Sequence, residues 1–229
     1  MDLKELDGKD PSKHWYYRTK VLPFASNALN FSPTATRVID IGAGSGFFAK
    51  YLCDLFPNST ALCVDPNYES NSLGQYGNIQ YVLNASGKKA DIYVFADVLE
   101  HVQDDIQLLR SYTDQCEKGS LILISVPAFM ILWSQHDVYL EHYRRYTLEQ
   151  VEEVVKLAGL TIVQSKYLFP SLFPVAFIKR KLSRNRSSSD MADMPKLANF
   201  LLTKYFHFEN RFFSNKHFGL SVFVAAIKE

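Results

Sequence analysis

This sequence predicts an α/β fold, a doubly wound and mostly parallel seven-stranded sheet with a helical insertion before the last strand. Three observations carry that expectation. Apolar strand-like runs alternate with amphipathic helical stretches, the order that a parallel sheet flanked by helices requires. The first run, Val38-Ile-Asp-Ile41, opens directly into Gly42-Ala-Gly-Ser-Gly46 and then a helix. A later run, Asp91-Ile-Tyr-Val-Phe-Ala96, is almost wholly apolar, which suits a strand covered on both faces.

The elements follow in order. Residues 1–13 are polar, His14 opens a helix reaching to about Asn30, and Pro33 punctuates the approach to the first strand, Arg37–Ile41. The helix Gly46–Phe56 ends at Pro57-Asn58, the second strand is Thr60–Val64, and Asn67–Gly77 reads as a polar turn or short helix. Ile79–Leu83 and Asp91–Ala96 are the third and fourth strands. Val98–Cys116 reads as one helix, with Leu99, Val102, Ile106 and Leu109 at helical spacing. Leu121–Val126 is the fifth strand, stopped by Pro127. Thr147 is placed to N-cap a helix that Gly159 ends. Leu160–Phe169 is the sixth strand and Gly219–Ile227 closes the sheet. Between these last two lie an apolar stretch, Pro170–Leu182, a basic group of Lys179, Arg180, Lys181, Arg184 and Arg186, a serine turn at Ser187–Ser189, and a second helix, Pro195–Phe213. Leu197, Phe200, Leu201, Lys204, Phe208 and Phe212 are spread around that helix. The chain thus divides into a cap (1–36), a core (37–169), an insertion (170–217) and a closing strand (218–229).

Composition sets limits. With 229 residues, 47% of them hydrophobic, the chain can bury one sizeable core. A net charge of +1 provides no global field for nucleic acid, so DNA is not expected and RNA is disfavoured. Three cysteines without metal-type spacing, a polar start and no apolar run of ~18 residues suit a reducing, cytoplasmic setting.

The glycine turn indicates what the fold holds. Gly42, Gly44 and Gly46 form G-x-G-x-G, not the G-x-G-x-x-G of dinucleotide enzymes, which argues against a nicotinamide dehydrogenase. Glycines here permit positive φ and close approach of a ligand to the main chain. Asp65 ends the next strand about 20 residues further on, where a carboxylate accepts from ribose hydroxyls. Asp40 is placed either to fix the loop amides or to face an ammonium group. Together these residues describe a nucleoside pocket suited to S-adenosylmethionine.

On these motifs the sequence resembles the class I S-adenosylmethionine-dependent methyltransferases. Asp40-Ile-Gly-Ala-Gly-Ser-Gly46 is similar to their first motif and Val64-Asp-Pro66 to their second. Ala96-Asp-Val-Leu-Glu-His-Val102 resembles the segment after the fourth strand in the branch containing the ubiquinone-pathway O-methyltransferases. The resemblance covers roughly residues 12–165 and the final strand. It implies a Rossmann-like sheet whose last strand is antiparallel and inserted beside the sixth. It implies cofactor contacts from Gly42, Ala43, Gly44, Gly46, Asp65 and Pro66, and from Ala96, Asp97 and Val98. The acid that often holds the adenine amine is replaced here by Asn84-Ala-Ser86, leaving Asn84 or Ser86 for a polar contact. His14-Trp-Tyr-Tyr-Arg18 is similar to a segment that caps the cofactor. That likeness implies Tyr17 against the ligand and Arg18 on the methionine carboxylate.

The chemistry then needs an acceptor in line behind the methyl and, for a hydroxyl, a base. His101 reads either as that base or as a structural partner of the loop after the fifth strand. His136-Asp137 and Glu141–Tyr146 hold two histidines, two arginines, two tyrosines and two acids in that loop. His136 and His142 are alternative bases, and Tyr143 is placed to orient the acceptor. Arg144 and Arg145 either bind an acceptor anion or, with Tyr146, anchor the loop. Asp97-x-x-Glu100-His101, completed by His136 or His142, resembles the metal site of small-RNA 3′-end ribose methyltransferases, although the favoured reading assigns no metal. His207 and His217 read as structural or surface residues. The expected function is methylation of a hydroxyl or amine on a small-molecule acceptor. Its alternatives are a metal-assisted RNA ribose methyltransferase and a catalytically silent cofactor-binding scaffold. The 170–217 insertion reads as a lid, a homodimer surface, or a peripheral membrane hairpin with basic residues at the headgroups.

Overall fold

The computed structural model describes residues 10–85, 87–182, 194–213 and 215–229. Eight strands form one sheet: β1 Arg37–Ile41, β2 Thr60–Val64, β3 Gly74–Tyr76, β4 Ile79–Val82, β5 Ile92–Ala96, β6 Leu121–Pro127, β7 Leu160–Leu168 and β8 Ser221–Lys228. The helices are α1 Trp15–Phe31, α2 Phe47–Leu55, α3 Asp105–Thr113, α4 Gln135–Tyr139, α5 Leu148–Leu157, α6 Leu172–Leu182 and α7 Lys196–Phe212. The strand order is β3-β4-β2-β1-β5-β6-β8-β7, with β3 and β8 antiparallel to their neighbours and the rest parallel. The closing strand is inserted beside the sixth, as expected. The order reverses between β1 and β5, and such a switch point leaves a crevice at the strands' carboxyl ends.

Two local expectations are corrected. The sheet has eight strands rather than seven, because Tyr76-Gly-Asn-Ile79 is a tight hairpin. Gly77 has φ +63°, and positive φ at the first central residue is what two-residue β-turns demand. The helix expected over Val98–Cys116 is also broken. Leu99–His101 is a single 3₁₀ turn, and α3 starts afresh where the Asp104 carboxylate accepts from the Gln107 N–H at 2.8 Å. That N-cap is the sequence signal for the break. Glu100 and His101 therefore sit on a turn at the end of β5, nearer the crevice than a continuous helix would leave them.

Helices cover both faces of the sheet. On one, α1 presents Tyr17, Val21, Phe24 and Ala28, all fully buried at helical spacing. Phe24 meets Phe48 of α2 and Phe223 of β8, with ring centroids 4.7 and 5.0 Å apart. On the other face Leu109 of α3 and Val151 and Val155 of α5 pack on Ile122 and Val224. α5 is held by a capping box in which Thr147 pairs with Gln150.

The insertion continues the first face. Phe206 of α7 stacks on Trp15 at 4.8 Å. Asn199 accepts from the Trp15 N–H at 2.8 Å and donates to the Lys13 carbonyl at 2.7 Å, so α7 docks on α1 through its inner side. The Lys181 side chain, Arg184, Arg186 and the Ser187–Ser189 turn lie outside the described residues.

Because α1 is part of the core, Phe24→Ala should destabilise the protein by about 3–5 kcal/mol. Urea unfolding followed by circular dichroism measures this, and an unchanged midpoint would make α1 a detachable cap.

Candidate active site

The crevice is built by the loop after β1 and by the ends of β2, β5 and β6. The glycine loop turns from β1 into α2 with φ of +62° at Gly42, +52° at Gly44 and +71° at Gly46. A Cβ on Gly42 would lie 2.7 Å from a Val98 methyl, so this glycine also permits the β1 loop to approach β5. Asp65 supports the loop by accepting from the Gly44 N–H at 3.0 Å and from the Asn67 N–H at 2.9 Å. Tyr68, which the sequence reading did not single out, donates its buried hydroxyl to the Gly44 carbonyl at 2.7 Å.

Asp40 ties β1 to the helix that follows the loop. It is buried below the loop and accepts from the Ala49 N–H of α2 at 3.2 Å. Burial pushes its carboxyl up to about 7, with Asp65 adding to the shift and the Ala49 amide opposing it. Pro66 and Asn84 are exposed at the ends of β2 and β4, Ala43 and Ala96 are buried, and Ser86 lies outside the described residues.

The cap differs from the expectation in one respect. Tyr17 is fully buried, edge-on to Phe47 at 6.0 Å, but Arg18 is exposed on the outer side of α1. The cation that α1 turns inward is Lys20, 1% exposed, whose ammonium donates to the Asp97 carboxylate and, at 3.1 Å, to the Tyr16 hydroxyl. Sequence reasoning passed over Lys20 because it lies two residues beyond the recognised segment. The sole signal was its position on the apolar stripe, three residues after Tyr17. Asp97 ends β5 with φ +57°, a left-handed conformation that aspartate tolerates better than most residues. Burial works against its charge, but Lys20 prevails and holds the carboxyl below its ordinary range.

A second cluster sits on the loop after β6. Asp137 is fully buried, and its carboxylate lies 3.0 Å from His142 Nδ1. Arg145 donates to it at 2.6 Å and the Ser134 N–H at 2.8 Å, and the Arg180 guanidinium of α6 lies 3.8 Å away. Although burial opposes it, the His142 and Arg145 contacts hold Asp137 ionised well below the usual carboxylate range. Arg145 also reaches the Ala128 carbonyl, and Arg144 holds the Gln103 carbonyl at 2.5 Å. The Tyr146 hydroxyl lies 2.8 Å from the Asp105 carboxylate, so this loop is anchored as its arginines and Tyr146 suggested. Tyr143, expected to orient an acceptor, is 52% exposed, and its backbone N–H donates to the Glu100 carbonyl.

The two clusters meet at the 3₁₀ turn after β5. His101 and His142 are edge-to-face with centroids 4.7 Å apart. Glu100 is fully buried, and neither of its carboxylate oxygens has a hydrogen-bond partner among the described residues. Burial, reinforced by the nearby Asp97 charge, pushes its carboxyl well above the ordinary range. Glu100, His101 and His142 bring one donor atom each within 4.8 Å of one another. Donors around a zinc ion at ~2.1 Å would be ~3.4 Å apart, a spacing that falls inside this limit. The Asp97 of the expected ligand pattern is committed to Lys20, and His136 is not part of this set.

A doubly wound sheet, a glycine loop of G-x-G-x-G spacing and an acid closing β2 together define a nucleoside-binding enzyme of the class I methyltransferase type. The sequence model of a methyltransferase domain matches residues 14–165, and the chain belongs to that family. No protein in the curated comparison matches. Solved structures share the fold. They include a SAM-dependent methyltransferase from Archaeoglobus fulgidus, 18% identical with TM-score 0.56, covering 91% of this chain and 94% of that one. A putative sarcosine dimethylglycine methyltransferase from Galdieria sulphuraria is 14% identical with TM-score 0.57, covering 90% of this chain and 84% of that one. The plantazolicin methyltransferase BpumL, solved with a substrate analogue and SAH, is 14% identical with TM-score 0.59, covering 99% and 88%. The branch containing the ubiquinone-pathway enzymes is not singled out by any of these.

Two outcomes follow from the buried charges. Lys20→Met should cost about 3–5 kcal/mol by leaving Asp97 unpaired. Adding Asp97→Asn should recover much of it, and strictly additive losses in a double-mutant cycle would show that the pair is not coupled. For Asp40, the folded pKa near 7 exceeds the ordinary 3.8, so the folded state binds more protons between those values. Stability of the ligand-free protein should therefore fall as pH rises from about 4 to about 7 and level off above. Chemical denaturation across pH should show this component missing in Asp40→Asn.

Proposed function

We propose that the protein transfers a methyl group from S-adenosylmethionine to a hydroxyl, or less readily an amine, of a small-molecule acceptor, with His142 as the general base. The observation that carries this reading is the Asp137–His142 pair. A buried, firmly ionised carboxylate 3.0 Å from Nδ1 fixes the ring's orientation and leaves Nε2 to accept a proton. Asp137 cannot swing away, because Arg145 and the Ser134 amide hold it.

The residues present fit the nucleoside donor. The turn at Gly42, Gly44 and Gly46 lets a ligand reach the main chain, and each Asp65 oxygen, accepting one backbone N–H, keeps a lone pair for a ribose hydroxyl. When bound, S-adenosylmethionine supplies a methyl on a sulfonium, which is transferred as the C–S bond breaks and a C–O bond forms. The protein's part is to exclude water with Tyr17 and the aromatic cap, place the acceptor oxygen, and receive its proton at His142 Nε2. The Glu100 carboxyl, buried beside the pair, is pushed well above its ordinary range by burial and by the Asp97 charge. The near-neutral chain supports a small acceptor over RNA.

The Glu100–His101–His142 triangle favours one second reading, in which those three residues hold a divalent cation against the acceptor oxygen. Chelation separates the two, since His142 acting as a free base needs no metal.

With an acceptor found by screening, His142→Gln and Asp137→Asn should each lower kcat by about 10²–10⁴-fold. Titration calorimetry should show S-adenosylhomocysteine still binding both variants. Wild-type rates in His142→Gln would remove it as the base, and activity lost to chelation and restored by zinc would establish the metal reading.

A further inference from the structure

We propose that the outward face of α7 docks on an anionic lipid surface. Leu197, Phe200, Leu201, Tyr205, Phe208 and Phe212 are each between 51% and 69% exposed, although the same helix buries Phe206 and Glu209 on its inner side. On a helical projection these six fall on one side, opposite Phe206, and the exposed Phe213, its ring 6.3 Å from that of Phe208, continues the apolar surface beyond the helix end. An apolar face of this length, left in water, calls for a partner.

Charge selects the partner. In the described part of 170–220 the sole acid is Glu209, and it is buried, its carboxylate accepting from the Ser171 N–H at 3.2 Å. Lys196, Lys204, Arg211 and Lys216 are exposed. Two of them rise from within the apolar face, with Lys204 5.6 Å from the Phe200 ring centroid and Arg211 5.8 Å from that of Phe212. Long cationic side chains rooted among aromatics reach to headgroups while the rings enter the acyl boundary. A second copy of this chain fits less well. A two-fold contact through this face would set Lys204 and Arg211 against their own equivalents with no acid to meet them. Spanning is excluded for this helix, since among the described residues no helix is long and apolar enough to cross a membrane.

Of the basic group anticipated for headgroups, Arg180 turns toward Asp137 in the site and Lys179 is exposed, while the Lys181 side chain, Arg184 and Arg186 lie outside the described residues, so the docking argument rests on the cations of α7 and Lys216. Docking would hold the bilayer one helix away from α1, which carries both Tyr17 and Lys20.

Flotation of the full chain with phosphatidylcholine vesicles, and with vesicles containing phosphatidylserine, tests this without reference to turnover. The wild type should float with the anionic vesicles and less so with neutral ones or in high salt. Phe200→Ser/Phe208→Ser should abolish flotation, and Lys204→Gln/Arg211→Gln should weaken it by about fivefold per charge. Each variant is first shown to bind S-adenosylhomocysteine as the wild type does, so a fold or cofactor failure is read separately. No flotation of the wild type, or flotation that both α7 variants retain, overturns the proposal. A wild-type dimer in sedimentation that Phe200→Ser/Phe208→Ser dissociates, with no vesicle binding, overturns it in favour of self-association.

Discussion

Putting charge at the carboxyl edge of an otherwise apolar sheet is the constraint on which the rest of this structure depends. β5 and β6 are buried along nearly their whole length, and the residues that end or follow them are Asp97, Glu100 and Asp137. A carboxylate there is tolerable only if it is paired or loses its charge. The protein uses both solutions. Asp97 takes the Lys20 ammonium, Asp137 takes two guanidinium groups, an imidazole and a backbone amide, and the Glu100 carboxyl, unpartnered among the described residues, is pushed well above the ordinary range. Three acids in the crevice are thereby shifted in opposite directions. Such separation of titrating groups is what sites of acid–base chemistry need.

Lys20 for Asp97, and Arg180 as the outermost partner of Asp137, come from outside the core, which ties peripheral elements to the site. α1 precedes the sheet and would be dispensable in a minimal fold, yet it supplies Lys20 while its other inward residues fill one face of the core. α6 belongs to the insertion before the closing strand, yet Arg180 reaches Asp137. Losing either element would remove buried apolar surface and also leave a desolvated carboxylate with fewer partners.

The parts that repeat local rules were readable from the sequence. Alternation of apolar runs and helices, the glycine turn, Pro127 after β6 and the Thr147 cap each act over a few residues, and the strands and helices they predict are present. The hairpin strand β3 and the Asp104 cap were also local, but β3 lay in a polar stretch and the helical period of Leu99, Val102, Ile106 and Leu109 ran straight across the cap. The site was less legible. Gly42 through Asp65 could be placed because a turn and a strand end fix them. The pairing of Lys20 with Asp97 and of Asp137 with His142 depends on distance in space, across 77 residues in the first case. The three histidines at positions 101, 136 and 142 are equivalent by sequence, and the contact of His142 with buried Asp137 is visible only in space.

That distinction bears on how the insertion should be understood. If 170–217 were only a shield over the crevice, its inner residues would be apolar and its outer ones polar. α7 does the reverse on its outer side, where aromatic rings outnumber cations and acids are missing among the described residues. Its inner side is held by directional bonds, Asn199 to α1 and Glu209 to the start of α6, which fix the helix in place rather than leave it to slide. Rigid attachment within and apolar exposure without are the properties of a surface built to be covered. The same segment also brings Arg180 to within 3.8 Å of Asp137, so the insertion contributes both an exposed apolar face on α7 and, through α6, a cation to the Asp137–His142 cluster.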